Sequence, residues 1–403
     1  MYLFTSEAVS PGHPDKCADI VADSVVDYLL QRDSSSRVAT EVFIAGKHLV
    51  IGGEVKTSVH ITADDYKRIA KTAIEKIGYN GKSGFKRDQT LHPDDLNVEV
   101  YVNKQSPDIS QGVDQTSGET GAGDQGIMFG FASAEAAEYM PAAISFARGL
   151  CDHVYRYALQ NGDKLGVDIK TQVTIDYGSK DNFIAAKPQK IHTIVVSAPS
   201  VESLHIDEAR KLIKGLIDSC GALPKALYNP NDCIIHINPT GRYVNHGPLH
   251  DSGLTGRKLI VDSFGGYAPI GGGAQSSKDY TKVDRSGLYA ARWIAKNIVA
   301  AGLSKKALVQ IGYAIGVAKP VSVSVDTQFT AIDGVKDEEL SAKVAERFPL
   351  TPNWIAKTFN LDKPSADNFL YADVAARGQA GAADYPWEQI DRDGWFESLK
   401  PTP

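Results

Sequence analysis

Residues 38–55, VATEVFIAGKHLVIGGEV, read as two β-strands, Val38 to Phe43 and Leu49 to Val55, with Gly46 as the turn between them. Working outward, Gly12-His13-Pro14 opens a helical pattern that puts Ala18, Val21, Val25, Tyr28 and Leu29 on one face. Pro14 suits a first helical turn, where its missing N–H costs nothing. Downstream, Asp64 to Ile77 reads as a second helix ended by Gly78, and Leu96 to Val102 as another strand. The texture recurs. The middle third reads as helix Ala142 to Leu159, strands Thr171 to Tyr177 and Lys190 to Ser197, helix Asp207 to Ser219 and a short strand Ile234 to Asn238. The last third reads as strand Lys258 to Ser263, a glycine-rich loop, helix Ser286 to Ala301, strands near Ala307 to Val317 and Val321 to Gln328, and helix Asp337 to Phe348. This is a threefold structural repeat without residue-level self-similarity. Short connections and mixed strand order favour an α+β fold, built as two-layer α/β sandwiches with helices on one sheet face. The closing segment, with Tyr385-Pro386-Trp387-Glu388, reads as a surface-packed tail.

The composition bounds the function. The chain has 403 residues, 43 basic and 49 acidic side chains, and a net charge of −6. Such a length suits two or three domains. An apolar fraction of 42% is that of a globular protein, which excludes a largely disordered or collagen-like chain. The acidic balance argues against a nucleic-acid partner. No apolar run approaches the ~18 residues of a membrane span. The start, Met1-Tyr2-Leu3-Phe4-Thr5-Ser6-Glu7, lacks the features of a signal peptide, so a cytoplasmic location is expected. Cys17, Cys151, Cys220 and Cys233 form no Cys-x-x-Cys pair and read as reduced, packed thiols.

Five segments carry candidate chemistry. Residues 265–279, GGYAPIGGGAQSSKD, lie between an apolar run and a helix. Their glycines let backbone N–H groups approach an anion, with Lys278, Lys282 and Arg285 adding positive charge and Asp279 and Asp284 able to face a divalent ion. The reading is a phosphate cradle or a merely flexible loop; it is not a Walker A motif. Gly12-His13-Pro14-Asp15-Lys16 sits at a helix N-terminus, which attracts anions, and His13 and Lys16 reinforce this. Asp15 there either bridges Mg²⁺ to a phosphate or favours the helix start electrostatically. Arg257 and Lys258 are paired cations suited to a polyphosphate or simply solvated. Lys170, at a strand start, reads on its own as a surface lysine. Glu54 after Gly52-Gly53, and Glu41 on the preceding strand, could both be solvent-face charges. From Asn103 to Gly126 no period is sustained, and the run reads as a gating or binding loop or as a passive linker. No histidine spacing suggests zinc and no Gly-x-Ser-x-Gly elbow suggests a serine hydrolase.

In order along the chain stand Ser6 to Lys16 (SEAVSPGHPDK), Gly53-Glu54, Lys104 to Ile109 (KQSPDI), Gly121 to Gly126 (GAGDQG), Asn238 to Arg242 (NPTGR), Gly256-Arg257-Lys258 and Gly271 to Ala274 (GGGA). Together they resemble the S-adenosylmethionine synthetase family over nearly the whole chain. The resemblance implies three intertwined pseudo-threefold β-α-β-β-α-β repeats, over 2–107, 121–243 and 245–388, and a gating loop over 105–126. It implies self-association as a dimer with shared active sites, often paired into a tetramer. It implies ATP and L-methionine as substrates, with two Mg²⁺ and K⁺ as cofactors. His13, Lys170, Arg257 and Lys278 would be catalytic. Asp124, Asp168, Ile169, Arg242, Tyr243, Asp251, Lys258 and Ala274 would join them around the ATP. Glu54, Gln105, Asp251 and Lys282 would hold methionine, Asp15 and Asp284 Mg²⁺, and Glu41 K⁺. The chain departs from the family pattern at Ile270, Tyr243, Gln275 and Ser277, where His, Phe, Phe and Gly are common.

The implied reaction needs no nucleophile–base dyad, because a thioether sulfur has no proton to lose. It needs alignment and neutralisation of a departing triphosphate. A non-catalytic nucleotide-binding regulator would have lost His13, Asp15 or Lys278, and all three are present. A small-molecule kinase would need a carboxylate base for a hydroxyl acceptor.

Overall fold

The computed structural model describes residues 1–105 and 121–401. Most of the gating loop therefore lies outside the described residues. Eleven strands form three sheets among the described residues. The strands are β1 (Leu3–Val9), β2 (Arg37–Ala45), β3 (His48–Lys56), β4 (Asn97–Lys104), β5 (Gly126–Ser133), β6 (Lys170–Asp176), β7 (Lys190–Ser197), β8 (Ile234–Ile237), β9 (Ser252–Leu254), β10 (Lys306–Tyr313) and β11 (Ser322–Asp326). The longer helices are α1 (Pro14–Leu30), α2 (Ala63–Ile77), α3 (Ala142–Gln160), α4 (Ile206–Ser219), α5 (Val283–Ala300), α6 (Asp337–Arg347), α7 (Pro352–Phe359) and α8 (Tyr371–Arg377).

The sheet orders are β1-β6-β7-β8, β9-β2-β3-β4 and β5-β10-β11. In each, the first strand is antiparallel to the second and the second to the third. In the two four-stranded sheets the last pair is parallel. One edge strand of every sheet is lent by another repeat. The first repeat gives β1 to the sheet of the second, the second gives β5 to the third, and the third gives β9 back to the first. The helix after each lent strand stays with the sheet that receives one. So α1 packs on β2 and β9, α3 on β1 and β6, and α5 on β5 and β10. This exchange is what intertwines the repeats. The third repeat departs from the pattern: after α6 the described chain continues into α7 and α8 rather than into a parallel strand.

Each long helix buries its apolar stripe on its sheet, but α1 and α5 are buried almost all round, because further helices cover their other faces. Gly130 of β5 shows how close this packing is. A Cβ there would fall 2.0 Å from the carbonyl carbon of Ala291, so only glycine lets α5 lie on that strand.

Two expectations are corrected. Lys258 to Ser263 is not a strand but one helical turn, Leu259–Asp262. β9 already occupies the edge of β2, and Gly256 then donates its N–H to Asp19 Oδ1 at 2.9 Å, turning the chain off the sheet. A short apolar run cannot by its period distinguish the two conformations. The closing segment is not a surface tail. Trp387 is fully buried, stacked on Tyr289 at 3.8 Å, and its indole N–H donates to Gln379 O at 2.8 Å. The four cysteines are free thiols. No helix among the described residues is long and apolar enough to cross a membrane.

Candidate active site

The first group of site residues gathers at the start of α1. His13 is the helix N-cap, and its Nδ1 accepts the Asp15 N–H at 3.1 Å. An accepting Nδ1 places the ring proton on Nε2. Burial, then the charges of Lys258 and Lys170, push the imidazole pKa down to about 3. His13 is therefore a neutral Nε2–H donor surrounded by cations. Asp15, only 2% exposed, accepts from Leu254 N at 3.0 Å and Lys258 Nζ at 2.6 Å, with Arg257 Nε at 3.4 Å. Burial opposes its ionisation, but the Lys258 and Leu254 hydrogen bonds hold it below the usual carboxylate range. Lys16 does not belong to the anion site. It is buried and bound to Asp262 at 2.6 Å, with Asp19 at 3.7 Å.

The neutral His13 sets an expected pH dependence. An unfolded histidine binds a proton below about 6.5, whereas the folded one resists to about 3, so acid favours the unfolded state across that window. From pH 5 to 8 the folded ring keeps one charge state. A plot of kcat/KM against pH should show no inflection near 6.5 that His13→Asn removes; such an inflection would refute the neutral assignment.

Beside this group, Asp168 is buried and accepts from Tyr243 OH at 2.9 Å and Gly247 N at 3.0 Å. Its Oδ1 is buried with no partner among the described residues, and burial raises its pKa. An orphaned carboxylate oxygen next to a tyrosine ring is a ready acceptor for a nucleoside N–H or hydroxyl. Ile169 supplies the backbone link, its N–H donating to Ser10 Oγ at 2.9 Å and its carbonyl accepting from Ser10 N at 2.9 Å. Asp251 is exposed nearby, and its charge raises the pKa of both Asp168 and Tyr243. Lys170 opens β6 and is exposed, opposite Val9 and Ser197. Arg242 is exposed and its guanidinium donates to Glu202 O. Asn238 explains that loop: it has φ +44°, and its amide bonds Ala198 N and O, both at 3.0 Å, like a strand partner.

The second group surrounds the glycine-rich loop. A Cβ on Gly273 would land 2.2 Å from the Asp284 carboxyl carbon, so the loop backbone lies against that carboxylate. Lys278 Nζ binds Asp284 Oδ2 at 2.7 Å. Ala274 touches the Gly256 position, next to Arg257. The loop then joins a sheet: Lys278 bridges to Ala39 of β2, and Ala39 pairs with Glu54 of β3, so Lys278 and Glu54 share one rung. Glu41 lies exposed on the same strand as Ala39, opposite Gly52. Gln105 follows β4 and bonds Val55 O at 3.1 Å through its N–H, while Asp124 is exposed just before β5.

Three charges expected in the cradle are used elsewhere. Asp279 is buried and accepts from Val38 N, Thr281 and Lys282 Nζ, so neither it nor the Lys282 ammonium, at 2.5 Å from it, is presented to an anion. Arg285 is fully buried against Asp23. A cavity of about 890 Å³ lies among α1, α2, α3 and α8; Ser10, Pro11 and Asp262 of the first group's surroundings line it, and none of the glycine-loop residues does.

One feature is not caught by an apolar-face reading of the sequence. Asp15, Asp19, Asp23 and Asp27 recur every fourth residue along α1, and each accepts backbone N–H groups from the third repeat: Leu254, Gly256, Ser277, and Tyr371 with Ala372. The four-residue spacing of acidic side chains is the signal that marks this polar seam.

The architecture is that of an α+β protein whose two cationic groups have the charge to take a polyphosphate. The chain matches the S-adenosylmethionine synthetase N-terminal domain over residues 1–107, the central domain over 119–243 and the C-terminal domain over 245–389. It is 44% identical to an S-adenosylmethionine synthase of a Nitratiruptor species (97% of this chain, 96% of that protein) and 43% identical to that of Lacticaseibacillus casei (97% of each). A solved structure, an S-adenosylmethionine synthetase from Campylobacter jejuni described as unusual, superposes with a TM-score of 0.94 at 64% identity, covering 99% of this chain and 100% of that one. The chain belongs to the S-adenosylmethionine synthetase family. It is a methionine adenosyltransferase, and its activity is S-adenosylmethionine synthesis.

Proposed function

We propose that synthesis proceeds by attack of the methionine sulfur on C5′ of ATP. A sulfur lone pair forms the S–C5′ bond while the C5′–O bond breaks and its electron pair stays on the triphosphate. Water then hydrolyses triphosphate to pyrophosphate and phosphate. The observation that carries this reading is His13: a buried, neutral imidazole whose Nε2–H is free to donate, beside Lys258 and Lys170. Such a group stabilises a departing anion and is a poor base, which suits a nucleophile with no proton to remove. In this reading Asp168, through its orphaned Oδ1, and Tyr243 hold the nucleoside. Ile169, Arg242, Asp124, Asp251 and Ala274 line it. Lys170, Arg257, Lys258 and Lys278 neutralise the phosphates. Glu54, Gln105 and Asp251 receive methionine.

Family members use a divalent metal and a monovalent cation. The donor set fits Mg²⁺, which takes one or two carboxylates and completes its shell with phosphate and water oxygens. Asp15 and Asp284 each offer one carboxylate, and each already holds an ammonium, Lys258 at 2.6 Å and Lys278 at 2.7 Å, where a cation would sit. Bound there, Mg²⁺ would screen the triphosphate charge. Potassium at Glu41 rests on the resemblance. Among the described residues no trio of histidine, cysteine or acidic groups gathers into a metal cage.

The site is completed, in our reading, by a second copy of the chain, with dimers pairing further. The sheet face bearing Glu41 lies away from α1 and also carries Phe43, 44% exposed, and Tyr101, 62% exposed. The α1 group and the Lys278–Glu54 rung are thus two half-sites, which a partner brings together. The deciding experiment mixes the enzyme with ATP, methionine and Mg²⁺ and identifies products. S-adenosylmethionine with pyrophosphate and phosphate is expected; ADP with a phosphorylated acceptor would refute the mechanism.

A further inference from the structure

A buried ion pair that touches no proposed substrate lies directly behind the glycine-rich loop. Asp23 and Arg285 both have 0% side-chain exposure. Asp23 Oδ1 accepts the Ser277 N–H at 2.7 Å, and Oδ2 accepts from Arg285 Nη2 at 2.5 Å. Arg285 Nη1 donates to Lys278 O at 3.0 Å, and its guanidinium lies 4.5 Å over the Tyr371 ring. The pair therefore grips the amide of one residue and the carbonyl of the next.

Between these grips the backbone is strained. Ser277 has φ +82°, a left-handed conformation that a residue with a Cβ avoids. Its carbonyl accepts from Thr40 N at 3.2 Å, and Lys278 and Asp279 then run beside β2. A strained turn persists only where its surroundings over-determine it. Here a buried carboxylate holds the amide, the sheet holds the carbonyl, and the guanidinium holds the peptide that follows. Lys278 projects from this clamp to Asp284.

We propose that Asp23 and Arg285 are positioning residues for the adenosyl transfer: together they impose the left-handed turn at Ser277 and so aim Lys278 at the phosphates. The proposal rests on the site reading above. A pair that merely fastened α1 to the third repeat would cost the same stability when broken, so unfolding temperature alone does not test it. A glycine does, because it adopts positive φ without strain.

The experiment measures kcat, the KM for ATP and the thermal midpoint for Asp23→Asn, Ser277→Gly and the double variant. Asp23→Asn should lower kcat/KM for ATP at least ten-fold. Adding Ser277→Gly should restore it at least three-fold, by a larger factor than the same change produces in the wild-type background, without restoring the midpoint. If Asp23→Asn does not fold, Arg285→Lys, which keeps a charge for Asp23 but is too short for the Lys278 carbonyl, carries the same comparison. Recovery of midpoint and activity together, or no recovery by glycine, overturns the proposal. Lys278→Met separates the two levels. If it loses synthesis while the glycine rescue fails, the site stands and the positioning role falls. If it keeps synthesis, the site reading is wrong and the proposal falls with it.

Discussion

Replacing Lys170 with methionine lowers the rate of S-adenosylmethionine synthesis by a factor on the order of 10² to 10³, comparable to removing one oxyanion donor, and changes ATP affinity much less. Lys170 is the first residue of β6, opposite Val9 on the lent strand β1. The chain beyond Val9 leads into α1, and the Lys170 charge is among those that keep His13 neutral. In the proposed mechanism, an ammonium beside His13 acts most where charge grows, as the C5′–O bond breaks. Interactions that strengthen in the transition state lower kcat rather than binding when removed. In the proposed site Arg257, Lys258 and Lys278 would still hold the phosphates. The side chain is exposed, so its loss should leave the fold intact. Single-turnover synthesis together with the ATP dissociation constant decides the matter. A near-normal rate, or a loss of affinity as large as the loss of rate, removes Lys170 from the mechanism.

Glu388→Ala should cost about 3–5 kcal/mol of folding stability, the usual consequence of stripping one partner from a buried ion pair. Glu388 receives Arg292 Nε and Nη2 at 2.9 Å each, Lys296 Nζ at 2.9 Å and Gly381 N at 2.7 Å. Arg292 and Lys296 both lie on α5 and are buried. Without the carboxylate two cations would remain in the interior with a deficit of acceptors; Lys296 keeps Glu138 at 2.6 Å and Arg292 keeps carbonyls of Phe131 and Tyr139. Glu388→Gln retains the shape and some hydrogen bonds, so it should lose less. Urea unfolding at fixed protein concentration measures the difference. A loss below ~1 kcal/mol for the alanine variant would mean that the C-terminal segment is dispensable to the core.

Much of this was readable from the residues. Strands β2, β3, β6, β7 and β10, and helices α1 to α6, follow from period and punctuation, because each keeps one face against its own repeat. Candidate phosphate-binding motifs were visible as glycine runs, a proline-led helix start and paired cations, each of which also admits a plainer reading from the residues alone. The roles of individual charges were not. Lys16, Asp279 and Arg285 look like site residues on a line of text, yet each is spent on a buried partner. Trp387 and Glu388 look peripheral and are central.

The strands missed were β1, β5 and β9, the three that are lent. Their pairing partners lie more than a hundred residues away or, for β9 with β2, more than two hundred. β9 has only three residues and β5 is an almost continuous apolar run, so neither shows the alternation of a strand with one wet face. The sequence by itself determined the repeat and the class of fold, because those follow from local period and residue type. Only the tertiary structure decided which repeat completes which sheet and which charges remain free for substrate, because both depend on contacts between segments that the chain brings together only when it folds.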